Sequence, residues 1–254
     1  MATEQEIIDS HDNPDVPAGR KRFVPLENNP EVMTSLVRNL GLSPTLSFHD
    51  VYSIDDPTLL SFVPRPAHAL LLIFPVTPTY ESHRRDEDAS KAEYTGSGDK
   101  EPVVWFKQTI ANACGLIGLL HGVSNGEAKS NILPGSDLAD LVKSAIPLDP
   151  VKRAELLYES RSLEKAHASA AATGDTSAPS ATDQVDLHFV CFVRGDDGHL
   201  WEMDGRRKGP LDRGVLKEGD DVLSEDALER SVRKFMERET DPRFSLVALA
   251  PSFD

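Results

Sequence analysis

The chain has 254 residues, of which 42 are acidic and 27 basic, and its formal net charge of −15 argues against binding to nucleic acid. Hydrophobic residues make up 39% of the chain, too many for a disordered protein, and the longest apolar run, Ala69 to Val76, is too short to span a membrane. Two cysteines and an acidic start with no signal-like segment predict a cytoplasmic protein in a reducing compartment.

The first predicted element is a helix that follows a polar segment. Residues 1–20 carry prolines and acids, and they predict a mobile acidic tail in front of one domain, residues 21–254. Asn29 and Pro30 then supply an N-cap and a first-turn proline. Apolar residues recur at helical spacing from there until Gly41, which predicts the end of the helix.

Capping pairs and apolar patterns predict the elements that follow. In chain order these are a short helix from Pro57, a strand over 69–76 buried on both faces, a charged loop over 81–101, a helix from about 138 to 146, a hairpin over 186–204, a helix opening at Ser224 and a strand over 244–250. Residues 166–184 contain only small or polar side chains and predict a flexible loop. The mixture predicts an α+β fold with a largely antiparallel sheet.

Ser124 is one candidate nucleophile. It is the central residue of Gly122–Gly126, which matches the five-residue serine elbow of α/β-hydrolases. That elbow needs a strand before the serine and a helix after it, and Pro134 leaves little room for such a helix. A serine esterase that uses Ser124 nevertheless stays open as an alternative.

Cys114 is the other candidate nucleophile. Asn112 is predicted to cap a helix that starts at Ala113, which places the thiol in the first turn, where the helix dipole favours a thiolate. A loop would bring Gln108, six residues upstream, beside that helix start, so that its amide and the Cys114 N–H form an oxyanion hole. The alternative is an inert cysteine in a core helix.

The hairpin supplies a candidate base. If its turn centres on Asp196, His188 faces Asp204 directly, and the carboxylate can orient the imidazole through a hydrogen bond. The same register places Cys191 opposite Trp201 on the core face. His121, seven residues beyond Cys114, would lie about 10 Å further along the helix, too far to accept the thiol proton.

Several collinear motifs together resemble the ubiquitin C-terminal hydrolase family of cysteine proteases. The segment from Gln108 to His121 is similar to the family's glutamine-and-nucleophile motif, and Asp186–Phe189 and Glu202–Arg206 are similar to its histidine and aspartate motifs. Further segments fit the small, single-domain members of the family: 25–32, 63–66 and 234–238.

The resemblance implies a papain-like fold with a knotted chain path and cleavage after the C-terminal glycine of ubiquitin or a close relative, releasing small or flexible adducts. It implies that Cys114 is the nucleophile, His188 the base and then the acid, Asp204 its orienting partner and Gln108 the oxyanion donor. It also implies that residues of about 150–185 form the family's crossover loop over the active site. No metal or cofactor is expected, and the chain is expected to act as a monomer.

The resemblance further implies where ubiquitin binds. Acidic residues would meet the arginines of the ubiquitin tail, and apolar residues near the N-terminus and beside the histidine would meet other parts of ubiquitin. The residues implied in this way are Pro25, Leu26, Glu27, Glu31, Asp50, Leu187 and Glu237. Leu26 has an alternative place packed against its own helix. A ubiquitin-holding protein with incidental catalysis remains a second functional alternative.

Overall fold

The structure, a computed structural model, describes residues 21–176, 186–239 and 241–253. The predicted acidic tail, residues 1–20, lies outside the described residues, as do residues 177–185 of the predicted loop. The described residues form an α+β fold, as predicted, with helices on both faces of a central sheet.

The strands are β1 (Leu46–Asp50), β2 (Ala69–Pro75), β3 (Leu187–Arg194), β4 (His199–Met203), β5 (Leu211–Val215) and β6 (Ser245–Pro251). They form one six-stranded sheet in the order β1-β6-β2-β3-β4-β5, and every neighbouring pair is antiparallel. All residues of β2 are buried because β6 and β3 flank it and helices cover both faces, which confirms that prediction. The two edge strands, β1 and β5, were not predicted.

The helices are α1 (Pro30–Leu40), α2 (Pro57–Leu60), α3 (Pro78–Ala89), α4 (Cys114–Val123), α5 (Asp137–Ala145), α6 (Pro150–Glu159), α7 (Arg161–Ala171), α8 (Glu225–Leu228) and α9 (Lys234–Met236). A 3-10 helix spans Gly126–Asn131, and a π-helix, Glu229–Arg233, joins α8 to α9. The predicted caps Asn29, Asp56 and Ser224 are confirmed, because each side chain accepts hydrogen bonds from backbone N–H groups of the first turn.

The charged segment after β2 forms α3, so the prediction of a loop over 81–101 was wrong for its first part. Thr77 caps this helix with its side chain. Arg84 lies 2.9 Å from Glu81 and 3.8 Å from Asp88, and all three are buried. High charge suggested solvent exposure, whereas these charges compensate one another inside the protein.

The predicted loop over 166–184 also begins as a helix. Residues up to 171 belong to α7, where Ala166 and Ala170 are buried in the core beside α1. The prediction failed here because alanine is the strongest helix former and its small side chain still buries apolar surface when two helices pack. His167, on the same helix, contacts the segment before α1, since its Nε2 lies 2.8 Å from the Val24 carbonyl.

Strands β3 and β4 form the predicted hairpin with a register that differs by two residues. Cys191 pairs with Met203 instead of Trp201, so the turn centres on Asp197, one residue later than predicted. Gly198 has a φ of 78°, which lets a longer turn close. A shift of two residues keeps each side chain on its predicted face, and Cys191 is buried in the core as expected.

Two apolar layers cover the sheet. Helices α1, α4 and α7 pack on one face, with α4 lying directly against β2 and β3, and α8 and the π-helix pack on the other face. This arrangement brings the start of α4, the start of β3 and the turn after β4 together at one end of the sheet. In the described part of the chain, no helix combines the length and hydrophobicity needed to cross a membrane.

Candidate active site

Cys114 is the first residue of α4, and it is partly exposed whereas all other residues of that helix are buried. The N-cap is Ala113 rather than the predicted Asn112, which has a φ of 59° and therefore cannot take the extended backbone of a cap. The thiol still lies at the N-terminus of the helix, where backbone N–H groups have no helical partner. Its Sγ is 3.9 Å from the Leu187 carbonyl oxygen at the start of β3.

The predicted contact between His188 and Asp204 is present. Nε2 of His188 lies 2.9 Å from Oδ1 of Asp204, and both side chains are buried. The two residues are not opposed across the ladder as predicted, because β4 ends at Met203 and Asp204 lies in the turn that follows. The carboxylate reaches the imidazole from that turn.

The environment of His188 favours its protonated form. Burial lowers the pKa of the imidazole, but the Asp204 carboxylate and hydrogen bonds to Asp204 and Cys114 outweigh burial and raise the pKa to about 9. Since Nε2 faces Asp204, Nδ1 is the ring nitrogen left for the thiol. The ring is therefore an imidazolium at neutral pH, held beside the Cys114 thiol.

Asp204 is a fully buried charge with several donors. Its Oδ1 also accepts the Arg206 N–H at 2.9 Å, and its Oδ2 accepts the Tyr80 hydroxyl at 2.8 Å. Burial alone would raise the pKa of Asp204, but His188, Arg207 and the Arg206 N–H reverse that effect and hold the pKa well below its usual range. The carboxylate is thus ionised when it contacts the imidazole.

Gln108 is held beside the turn that carries Asp204. Its backbone N–H donates to the Gly205 carbonyl at 2.9 Å, and Nε1–H of Trp105 donates to the Asp204 carbonyl at 3.1 Å. A Cβ atom on Gly205 would lie 3.0 Å from Cβ of Gln108, so only glycine permits this close approach. The buried Gln108 amide thereby has a fixed place next to the candidate triad.

His121 holds the residues just before Gln108 against α4. It is fully buried on α4, and its Nε2 accepts the Phe106 N–H at 2.9 Å, which assigns the proton of the neutral ring to Nδ1. Burial lowers the pKa of His121 to about 4, despite opposing contributions from Asp204 and backbone contacts. His121 is therefore a neutral structural residue that ties the segment before Gln108 to the helix of Cys114.

The structure disfavours Ser124, the other candidate nucleophile, and confirms that the thiol of Cys191 lies in the core. Ser124 is buried at the C-terminal end of α4, so a helix precedes it where a serine elbow requires a strand. Cys191 is fully buried, and burial raises the pKa of its thiol far above its ordinary value. Among the described cysteines and the elbow serine, only Cys114 lies beside the histidine.

An acidic groove with aromatic walls lies near the β1 edge of the sheet. Its lining includes three of the predicted ubiquitin-contacting acids, Glu27, Glu31 and Asp50, together with Asp175. Three of the most exposed aromatic side chains of the described structure also line it: Tyr52, Phe62 and Phe253. We call the surface formed by these seven residues the acidic groove.

The remaining predicted ubiquitin contacts are distributed differently. Leu26 is buried in the core, and its Cβ lies 3.2 Å from the position of a Cβ on Gly115, which favours the alternative that it packs within its own chain. Pro25 and Leu187 are partly exposed. Glu237 is exposed at the end of α9, outside the lining of the acidic groove.

Sequence reasoning missed Tyr80 and the role of His121. Tyr80 lies in the first turn of α3, beside the segment that was predicted to be a loop. The Thr77–Pro78 pair would have indicated a helix start there, because it repeats the capping pattern of Asn29–Pro30.

Most of the chain is similar to proteins of one known family. The family model described as "Ubiquitin carboxyl-terminal hydrolase, family 1" matches residues 23–237. Ubiquitin carboxyl-terminal hydrolase 3 of Arabidopsis thaliana is 36% identical over 91% of this chain and 94% of its own. Ubiquitin carboxyl-terminal hydrolase isozyme L1 of Rattus norvegicus is 38% identical over 89% of this chain and 96% of its own.

A solved structure supports the fold. The catalytic domain of Trichinella spiralis UCH37, bound to ubiquitin vinyl methyl ester, superposes with a TM-score of 0.68. The alignment covers 92% of this chain and 97% of that one, at 20% sequence identity. At that identity the similarity concerns the arrangement of strands and helices.

We predict that His121 makes stability depend on pH. Its pKa is about 4 in the folded chain and ordinarily 6.5, so protonation favours unfolding and stability falls as pH drops from about 6.5 towards 4. His121→Gln keeps a hydrogen-bond acceptor but cannot titrate. Between pH 7 and pH 5, urea unfolding should show about 2 kcal/mol more loss in the wild type than in the variant.

The comparison isolates His121 from the other histidines with lowered pKa values, His49, His68, His83 and His167, since both proteins contain them. Equal losses in the two proteins would contradict the assignment of His121 as a buried neutral residue.

Proposed function

The chain belongs to ubiquitin carboxyl-terminal hydrolase family 1 and is a cysteine-type deubiquitinating hydrolase, and from the geometry of its site we propose which residues carry the reaction. Cys114 is the nucleophile, His188 the base and then the acid, and Asp204 the orienting carboxylate. The observation that carries this proposal is the buried 2.9 Å contact between His188 and Asp204, at the end of the sheet where the partly exposed Cys114 contacts the start of the strand that carries His188.

The first chemical step is acylation. The thiol proton already resides on His188 as an imidazolium, and the paired thiolate of Cys114 attacks the carbonyl carbon of the C-terminal glycine of ubiquitin. The C–N or C–O bond to the adduct then breaks as the leaving group takes the proton from His188, which leaves a thioester on Cys114. Water attacks the thioester with His188 as base and releases ubiquitin with a free carboxylate.

Gln108 and the Cys114 N–H are proposed to stabilise the oxyanion that forms in each step. The support is positional: Gln108 is tied through its own N–H to Gly205, and the residues before it are tied to Asp204 and His121. A donor that is already fixed needs no reorganisation when charge develops on the substrate oxygen.

The acidic groove is proposed to receive the basic tail of ubiquitin. Glu27, Glu31 and Asp50 line it, and a net negative groove attracts arginines and increases the rate of association. Pro25, Leu187 and Glu237 remain proposed contacts on the basis of the family resemblance. Leu26 is left out because it is buried in the core.

The crossover segment is proposed to limit the enzyme to small or flexible adducts. Its first part is helical and packs on α1 through α7. Beyond the helix, the Thr176 N–H contacts Glu27 at 3.4 Å, and the Asn29 amide donates to Asp175 at 3.1 Å. These contacts hold the part of the segment that follows α7 beside the acidic groove. We also propose that the enzyme acts as a monomer in the cytoplasm, where its thiol stays reduced.

A ubiquitin that carries a C-terminal electrophile tests the catalytic proposal. We expect rapid formation of one covalent adduct on Cys114, identified by peptide mass spectrometry, and no adduct with Cys114→Ala. That variant should retain ubiquitin binding because the acidic groove is unchanged. Cys191→Ala is the matched control and should react like the wild type, since this thiol is buried.

Other outcomes of the probe experiment identify other functions. Tight binding with capture much slower than ubiquitin dissociation would indicate a ubiquitin-holding protein. Capture that persists in Cys114→Ala would contradict the assigned nucleophile.

Charge reversal tests the acidic groove. In the inactive Cys114→Ala variant, the further change Asp50→Lys should weaken ubiquitin binding by about 10-fold at low salt. The effect should be smaller at high salt, because salt already screens the attraction that the substitution removes. The control is Glu218→Lys, an exposed acid beyond β5 at the opposite edge of the sheet. An equal effect of both variants, or none, in calorimetric titrations would remove Asp50 from the binding surface.

A further inference from the structure

We propose that Tyr80 is a positioning residue of the catalytic site, which holds the Asp204 carboxylate in the orientation that His188 requires. The proposal rests on the catalytic roles given above for Asp204 and His188. Tyr80 touches neither ubiquitin nor the thiol in this account, and it acts through the carboxylate alone.

The first observation is that the two carboxylate oxygens of Asp204 have different hydrogen-bond partners. Oδ1 contacts Nε2 of His188 and the Arg206 N–H, each at 2.9 Å, whereas Oδ2 receives the Tyr80 hydroxyl at 2.8 Å. Rotation of the carboxylate about its last bond would therefore break the Tyr80 contact as well as the His188 contact. The hydroxyl fixes the second oxygen, and with it the plane that faces the imidazole.

The second observation is that Tyr80 itself has little freedom. Its backbone N–H donates to the capping hydroxyl of Thr77 at 3.0 Å, and that hydroxyl donates to Glu239 at 2.6 Å. Its ring is buried and packs against Phe74 with centroids 4.7 Å apart and against Phe235 with centroids 6.2 Å apart. Because the backbone and the ring of Tyr80 are both held, its hydroxyl can hold the Asp204 carboxylate in one orientation.

The third observation concerns the neighbouring residue on α3. Glu81 is buried and pairs with Arg206 at 3.0 Å, and Arg84 donates to the Arg206 carbonyl at 3.2 Å. The first turns of α3 therefore contact the turn after β4 at two points. Tyr80 donates a hydrogen bond to Asp204, and Glu81 forms an ion pair with Arg206. This helix was not part of the sequence-based site, yet it is the element that contacts the carboxylate from behind.

Tyr80 also adjusts the charge that reaches His188. A phenol that donates to Oδ2 draws electron density from Oδ1, so its removal should make the carboxylate a stronger acceptor towards the imidazolium. The titratable and charged groups around Asp204 and His188 are Cys114 and His121 on α4, Arg206 and Arg207 in the turn, and Glu81 and Arg84 on α3. Each of them is unchanged when only the hydroxyl of Tyr80 is removed.

The test begins with Tyr80→Phe, assayed by hydrolysis of a fluorogenic ubiquitin C-terminal amide. We expect kcat to fall by about 10-fold while KM changes less than about twofold, because the hydroxyl orients the base and leaves the ubiquitin surface intact. The basic limb of the pH profile of kcat/KM should move to higher pH as the pKa of His188 rises. Tyr94→Phe is the matched control, since its hydroxyl also donates to a carboxylate, that of Glu101, outside the site.

A graded replacement separates orientation by the hydroxyl from a packing role. 3,5-Difluorotyrosine at position 80 keeps the ring and the hydroxyl and makes the hydroxyl a stronger donor, so the basic limb should move in the opposite direction, to lower pH. The proposal is overturned if Tyr80→Phe leaves kcat and the pH profile unchanged, or if the two replacements shift the limb alike. Failure of the wild type to hydrolyse the substrate would instead overturn the catalytic assignment on which this proposal rests.

Discussion

The buried carboxylate of Asp204 is the constraint around which the site is organised. An ionised carboxylate removed from water is costly unless donors surround it, and this one is fully buried. The donors come from three parts of the chain: His188 from β3, Tyr80 from α3 and the Arg206 N–H from the turn itself. Because each donor needs a particular place, satisfying one charge brings separate elements to the same end of the sheet.

The same turn also holds Gln108, the proposed oxyanion donor. The carbonyls of Asp204 and Gly205 accept hydrogen bonds from Trp105 and Gln108, so the segment that carries Gln108 is tied to the carboxylate residue that contacts His188. His121 holds the other side of this segment through Phe106. The proposed base, orienting carboxylate and oxyanion donor therefore belong to one hydrogen-bonded assembly, and the thiol at the start of α4 lies beside it. Rigid placement of this kind is what lowers the reorganisation cost of catalysis.

Much of this arrangement could be predicted from the sequence because its signals are local. The helix caps at Asn29 and Asp56 and the buried run of β2 all depend on neighbouring residues. The pairing of His188 with Asp204 could be predicted although the register differed by two residues, since that shift preserves faces and the turn after β4 supplies the remaining reach.

The parts that escaped prediction depend on distant partners. Helix α3 has charged residues that look solvated in sequence, and they are buried only because Arg206 and Arg207 arrive from the turn after β4. The start of the predicted flexible loop is a helix because α1 offers a surface for small alanine side chains. Leu26 likewise lies in the core because Gly115 leaves space for it. No local pattern contains that information.

The central claim is that Asp204 keeps His188 protonated beside the thiol, and the direct measurement is the titration of the His188 imidazole by nitrogen-15 NMR. In the wild type the pKa should be near 9, so that the ring is an imidazolium at pH 7. In Asp204→Asn the pKa should fall below its ordinary value, because burial then acts without the carboxylate. A wild-type pKa near 6.5 that Asp204→Asn leaves unchanged would contradict the account.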